Sequence, residues 1–169
     1  MSHAKDWVKA YARQADADLR AWKLYQQHPE AAAAECHKLL FLQMACEKLC
    51  KAHVIRAGIY SAADVQASHG FVEKHLPAIM KQEISYTSEN PAHLRWTMSR
   101  IHHLAGEIEI LNPAMKRGGR RPDNCEYPWE AGDRVLSPLD HSFFPTQLLV
   151  APAGRTFLTL LRMAIDRNK

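Results

Sequence analysis

The chain has 169 residues, 47% hydrophobic and 24% charged, a formal charge of +4 and a pI near 8.9. That is ordinary composition for one globular domain with a real core, and only mildly basic, so an anion is a permitted partner rather than a required one. No apolar run approaches the roughly 18 residues that cross a bilayer, and the charged N-terminus lacks the apolar stretch of a signal peptide. We therefore expect a single cytoplasmic domain over residues 1–169, away from membranes.

Taken in chain order, residues 4–27 place Val8, Tyr11, Ala15, Leu19 and Trp22 at helical spacing, with Arg13, Asp16, Arg20 and Lys23 largely off that face. Pro29 suits a first helical turn, so a second helix is predicted over 29–56, ending near Gly58. Its apolar face includes Cys36, Leu40, Met44, Leu49 and Ala52. A short connection between two long helices favours an antiparallel pair. Ser61 to Asp64 starts a turn, and 69–81 reads as a third helix, kinked or split at Pro77. Asn90-Pro91 restarts the chain as N-cap and first helical residue. Leu94, Met98, Ile101, Ala105, Ile108 and Leu111 make a fourth amphipathic helix, closed by Asn112-Pro113. Residues 113–150 are predicted as a long irregular connection, and a last helix spans 152–167 with Phe157, Leu158, Leu161, Ala164 and Ile165 on one face. The expected fold is an all-α antiparallel bundle with that insertion before its final helix.

The segment from Gln43 through Ala45, Glu47, Lys48 and Lys51 to Ala52 resembles the A-x-EK-x-x-KA signature of the HEPN-domain family. Asp18-Leu19 and Trp22 look like its helix-one motif, and His69-Gly70-Phe71 is similar to the start of its next helix. The resemblance covers roughly residues 15–80. Ala45 and Ala52, seven apart, let a neighbouring helix come close. Glu47 and Lys51 are an i, i+4 pair, worth a few tenths of a kcal/mol on an exposed face. The resemblance implies a helical bundle that dimerises. It also implies either a binding module or a metal-independent ribonuclease built on an Arg-x4–6-His pair, and a partner such as a nucleotidyltransferase in a bacterial defence or toxin–antitoxin system.

Arg95 and His102 match that spacing, and Arg100 and His103 form an adjacent stripe with Glu107 one turn on. Cleaving RNA without metal needs a group titrating near neutrality, which His supplies, and a cation for the developing phosphorane charge, which Arg supplies. Arg134 and His141 repeat the spacing across Pro138. Where one branch of the family carries Arg-Tyr-Pro, this chain has Glu126-Tyr127-Pro128, which reverses the charge. The segment Lys116-Arg117-Gly118-Gly119-Arg120-Arg121 focuses four cations around two glycines and is the candidate anion site for nucleotide or RNA phosphate. Tyr127 and Trp129 beside it offer either a stacking surface or a plug for the bundle. Cys46, Cys50 and His53 share a helix face, but a fourth metal ligand is not apparent. No cofactor motif occurs, and the cysteines read as reduced core residues.

Overall fold

The computed structural model describes residues 2–28, 34–86, 91–115 and 123–169. Within them the chain forms α1 (Ser2–Gln27), α2 (Glu35–Arg56), α3 (Ala62–Gln66), α4 (Val72–Ser85) and α5 (Pro91–Glu109). A short hairpin follows, of β1 (Trp129–Ala131) and β2 (Arg134–Leu136). A single 3-10 turn at Pro138–Asp140 leads to α6 (Phe144–Val150) and α7 (Pro152–Asn168). The architecture is an all-α bundle.

The first two helices pack antiparallel. Lys48 pairs with Asp18, and the rings of Phe41 and Tyr25 stack at 5.6 Å, so moving seven residues up α1 moves seven residues down α2. On α1 the predicted face is buried at Val8, Ala15, Leu19 and Trp22. Asp16, expected off that face, is also buried, because Arg162 and Lys169 of the C-terminal segment neutralise it.

α2 starts at Glu35, with Ala34 as its N-cap, and so later than predicted; Pro29 and Glu30 lie outside the described residues. Its burial is not confined to one face. Leu39, Leu42, Cys46, Cys50 and Val54 are buried as well as Cys36, Leu49 and Ala52, while the predicted Leu40 and Met44 are half-buried. A helix covered all round belongs at the centre of a bundle, and α2 touches α1, α4, α5 and α7. It ends in a Schellman motif: Gly58 (φ 68°) donates to Ile55 O and Ile59 donates to Val54 O.

The predicted turn at Ser61 is a capping box that opens α3. Ser61 Oγ accepts from Asp64 N, and Asp64 Oδ2 accepts from Ser61 N. α4 runs through Pro77 without splitting. Pro77 forfeits one hydrogen bond early in the helix, and burial of Val72, Leu76, Ile79, Met80 and Ile84 holds the segment together.

In its described residues, the 113–150 connection holds more regular structure than its prolines and glycines imply. It contains the hairpin, with Trp129 opposite Leu136 and the turn at Gly132 (φ 66°). It also contains α6, which meets α7 at 87°. No single helix among the described residues is long and apolar enough to cross a membrane.

Two helices, α4 and α6, begin at phenylalanines that cannot cap them, Phe71 and Phe143. Distant glutamates supply the acceptors that a helix start needs. Glu109 of α5 accepts from Glu73 N at 2.9 Å and from Val72 N. Glu35 of α2 accepts from Phe143 N at 2.9 Å and from Thr146 Oγ1 at 2.7 Å. These contacts fix the ends of α4 and α6 to the rest of the bundle.

Candidate functional site

The polar residues of the three family-like motifs are one another's partners. Asp18 pairs with Lys48 across the α1–α2 seam. Glu47 accepts from Lys51 Nζ at 2.9 Å and from Gln43 Nε2 at 2.9 Å, lies 3.1 Å from His69 Nδ1, and accepts from Asn112 Nδ2 at 3.2 Å. Glu47 and Lys51 are 9% and 7% exposed, so the pair expected on an open face is buried. Ala45 and Ala52, beside them in the signature, are fully buried.

Burial raises the Glu47 pKa, but hydrogen bonds from Lys51 and Gln43 and the charges of Lys51 and His69 outweigh it, and the carboxyl is held below its usual range. A carboxylate so held dictates the tautomer of His69. A lone pair on Nδ1 at 3.1 Å from Glu47 would be repelled, so Nδ1 carries the proton and donates. Asn112 Nδ2, 3.3 Å from the same nitrogen, then directs its hydrogen to Glu47 instead. Glu109 behaves oppositely to Glu47. Burial first, then the Glu47 charge, raise its pKa against the Val72 N–H. Burial and the Glu47 charge also raise Tyr11. Gly70 (φ 86°) follows His69, and a Cβ there would come within 3.0 Å of Met115 Cε. The network joins α2, the segment before α4 and the end of α5.

Sequence reasoning did not single out Asn112, a member of this network, or Glu109, its electrostatic neighbour. Asn112 reads from the sequence as a helix stop beside Pro113. Its side chain also closes the network, with Oδ1 accepting from Ala114 N.

The candidate residues of α5 form an exposed surface. Arg95, Trp96, Arg100, His102 and His103 are all exposed. Trp96, Arg100 and His103 follow i, i+4, i+7 and lie on one stripe, while Arg95 and His102 form a second stripe beside it. The Arg100 guanidinium lies 5.9 Å from the Trp96 ring centroid. His103 sits 5.6 Å from the half-exposed ring of Phe144, and 3.8 Å from Glu107. Among the described residues no carboxylate pairs with Arg95, Arg100 or His102.

Other candidates are placed differently. Lys116, Arg117, Arg120 and Arg121 lie outside the described residues. The chain enters that segment from Met115, seated on Gly70, and Cys125 N bonds Leu111 O after it. Tyr127 is 60% exposed, but Trp129 is buried edge-on against His141 and cannot stack a base; it is the plug. His141 is occupied by Trp129, Phe143 and Asp123. Cys46 and Cys50 are fully buried, and burial pushes both thiols up, away from the thiolate a metal needs. Among the described residues no three His, Cys, Asp or Glu side chains converge as a metal site.

The fold defines the class of the protein, an all-α helical bundle built on the antiparallel pair α1 and α2, with α2 at its centre. Comparison with protein-family models, curated proteins and solved structures finds no match to the chain.

Proposed function

We propose that the protein is a HEPN-like binding protein of the cytoplasm that dimerises. It acts with a protein partner, such as a nucleotidyltransferase, in a bacterial defence or toxin–antitoxin system, and takes RNA or nucleotide on the exposed face of α5. The mutual pairing of Asp18 with Lys48, and of Glu47 with Lys51 and His69, supports the family reading, because it gives each motif residue a physical reason to accompany the others. The observation that carries the binding reading is the juxtaposition of exposed cations and solvent-facing aromatic rings on one surface. Arg95 and Arg100 stand without carboxylate partners among the described residues, Arg100 lies over Trp96 (47% exposed), and His103 lies against Phe144 (38% exposed). Cations meet phosphates and rings meet bases, which is the chemistry of single-stranded RNA recognition.

Fluorescence anisotropy with a labelled single-stranded RNA tests this. On a single strand each phosphate contact contributes about 0.7 to the log–log salt slope, so two contacts weaken binding roughly sevenfold between 50 and 200 mM salt. The Arg95→Glu/Arg100→Glu variant should lose that part of the slope; an unchanged slope removes the α5 face from the account.

One observation favours the alternative, a metal-independent ribonuclease. Glu107 lies 3.8 Å from His103, within ion-pair distance of the imidazolium that forms when the ring takes up a proton as general base. Cleavage of RNA in the presence of chelator, abolished by His102→Ala or His103→Ala, selects that reading; bound but intact RNA selects the binding protein.

A further inference from the structure

Away from α5, a cleft of about 470 Å³ opens between α1, α2, α6 and α7. Its size lies within the ~300–1,000 Å³ of small-molecule sites. Trp22, Leu39, Leu149 and Leu158, one from each helix, supply apolar wall. Lys38 of α2 and Arg155 of α7 bring two cations to the same cleft. Neither has a carboxylate partner among the described residues. Arg155 commits one nitrogen, Nη1, to Val150 O at 2.7 Å.

The acid of the cleft is Glu35, and its Oε1 is already taken by Phe143 N and Thr146 Oγ1. It stands three residues before Lys38 on the same helix without forming an ion pair with it. Among the described residues the lining therefore carries two cations and one carboxylate, a surplus of one positive charge beside an apolar wall. Both cations keep access to water, and an anion held between them would meet both charges at the rim of the apolar wall.

We propose that this cleft binds an amphipathic monoanion, an acyl or aryl carboxylate, with its apolar body against Trp22 and the leucines and its carboxylate between Lys38 and Arg155. A cationic amphiphile would meet the surplus charge with the wrong sign. A neutral one would gain nothing from either cation. This site shares no residue with the α5 face, so it stands or falls independently of the proposed function.

Isothermal titration of the full chain with decanoate, decanol and decyltrimethylammonium, each below its micellar concentration, tests the proposal. Decanoate should bind one to one and at least tenfold more tightly than the alcohol or the ammonium. Lys38→Gln/Arg155→Gln should erase the preference of carboxylate over alcohol while keeping the melting temperature. Leu158→Trp, which fills the cleft, should abolish binding of all three. Arg155→Lys, which keeps the charge, should retain the preference. No binding of decanoate at millimolar concentration, equal binding of the three probes, or a preference that survives loss of both cations would overturn the assignment.

Discussion

Replacing Glu47 with alanine separates the two readings of the Glu47–Lys51 pair. On an exposed face the pair is worth only about 0.2–0.5 kcal/mol. The structure instead buries both residues, to 9% and 7% exposure, and gives Glu47 four polar neighbours. Glu47→Ala leaves the Lys51 ammonium uncompensated in the interior, and breaking a buried pair from one side costs about 3–5 kcal/mol. The orphaned amides of Gln43 and Asn112 carry desolvation costs of about 1–3 kcal/mol each, though contributions within one network do not add. Against a typical total of about 5–15 kcal/mol, the variant should lose a large part of its stability. Urea denaturation followed by circular dichroism reads the loss as a lowered midpoint at unchanged slope. The double variant Glu47→Leu/Lys51→Met should lose less than Glu47→Ala, because it removes both charges and fills the space. A single variant within 1 kcal/mol of wild type would refute the buried network.

Substitutions at four further positions test other parts of the fold. His53 and His75 are both held below the usual histidine pKa, His75 by burial first and then by Lys74 and His53, among the rings of Tyr60 and Phe71. The unfolded chain therefore takes up protons first, and stability should fall as pH drops below about 6.5. His75→Phe, which keeps the packing, should flatten the decline in melting temperature between pH 7 and 5; an unchanged decline would clear His75. At the α6–α7 corner, a Cβ on Gly154 would stand 2.3 Å from Leu148 O and 2.5 Å from Leu149 O, so Gly154→Ala should destabilise by at least ~1–3 kcal/mol. Gly106 has only ordinary contacts inside α5, so Gly106→Ala should stabilise by about 0.5–1 kcal/mol in the same chemical melt. Glu109→Ala removes the acceptor at the start of α4 and should cost about 0.5–2 kcal/mol, whereas Glu109→Gln, which keeps an acceptor, should cost less. Equal losses for the two would show that the helix start does not depend on that oxygen.

What the sequence made legible is local. The spacing of Val8, Leu19 and Trp22 marks α1, Gly58 ends α2, and the face of α7 is buried at Phe157, Leu161, Ala164 and Ile165 as its period requires. Periodicity failed on α2 because a central helix is covered on every side. It also failed on α6, whose start is capped by Glu35 from 108 residues away. No local signal announces such a cap, and the phenylalanine at each uncapped start argues against a helix there. The candidate residues were legible by type and spacing: Arg95, Arg100, His102 and His103, expected as a catalytic Arg/His set, share the exposed side of α5. Burial of Glu47 and Lys51 was not legible, since an i, i+4 pair looks the same in water and in a core. Trp129 likewise depended on contacts with His141 that sequence distance hides.

The central functional claim is that α5 presents an RNA-binding surface, and chemical-shift mapping of 15N-labelled protein titrated with single-stranded RNA tests it most directly. The account predicts shifts at the Trp96 indole N–H and at the backbone amides of Arg95, Arg100, His102, His103 and Phe144, with the Glu47 network unmoved. Saturating RNA that leaves the Trp96 indole resonance in place, or that shifts only residues remote from α5, would contradict it.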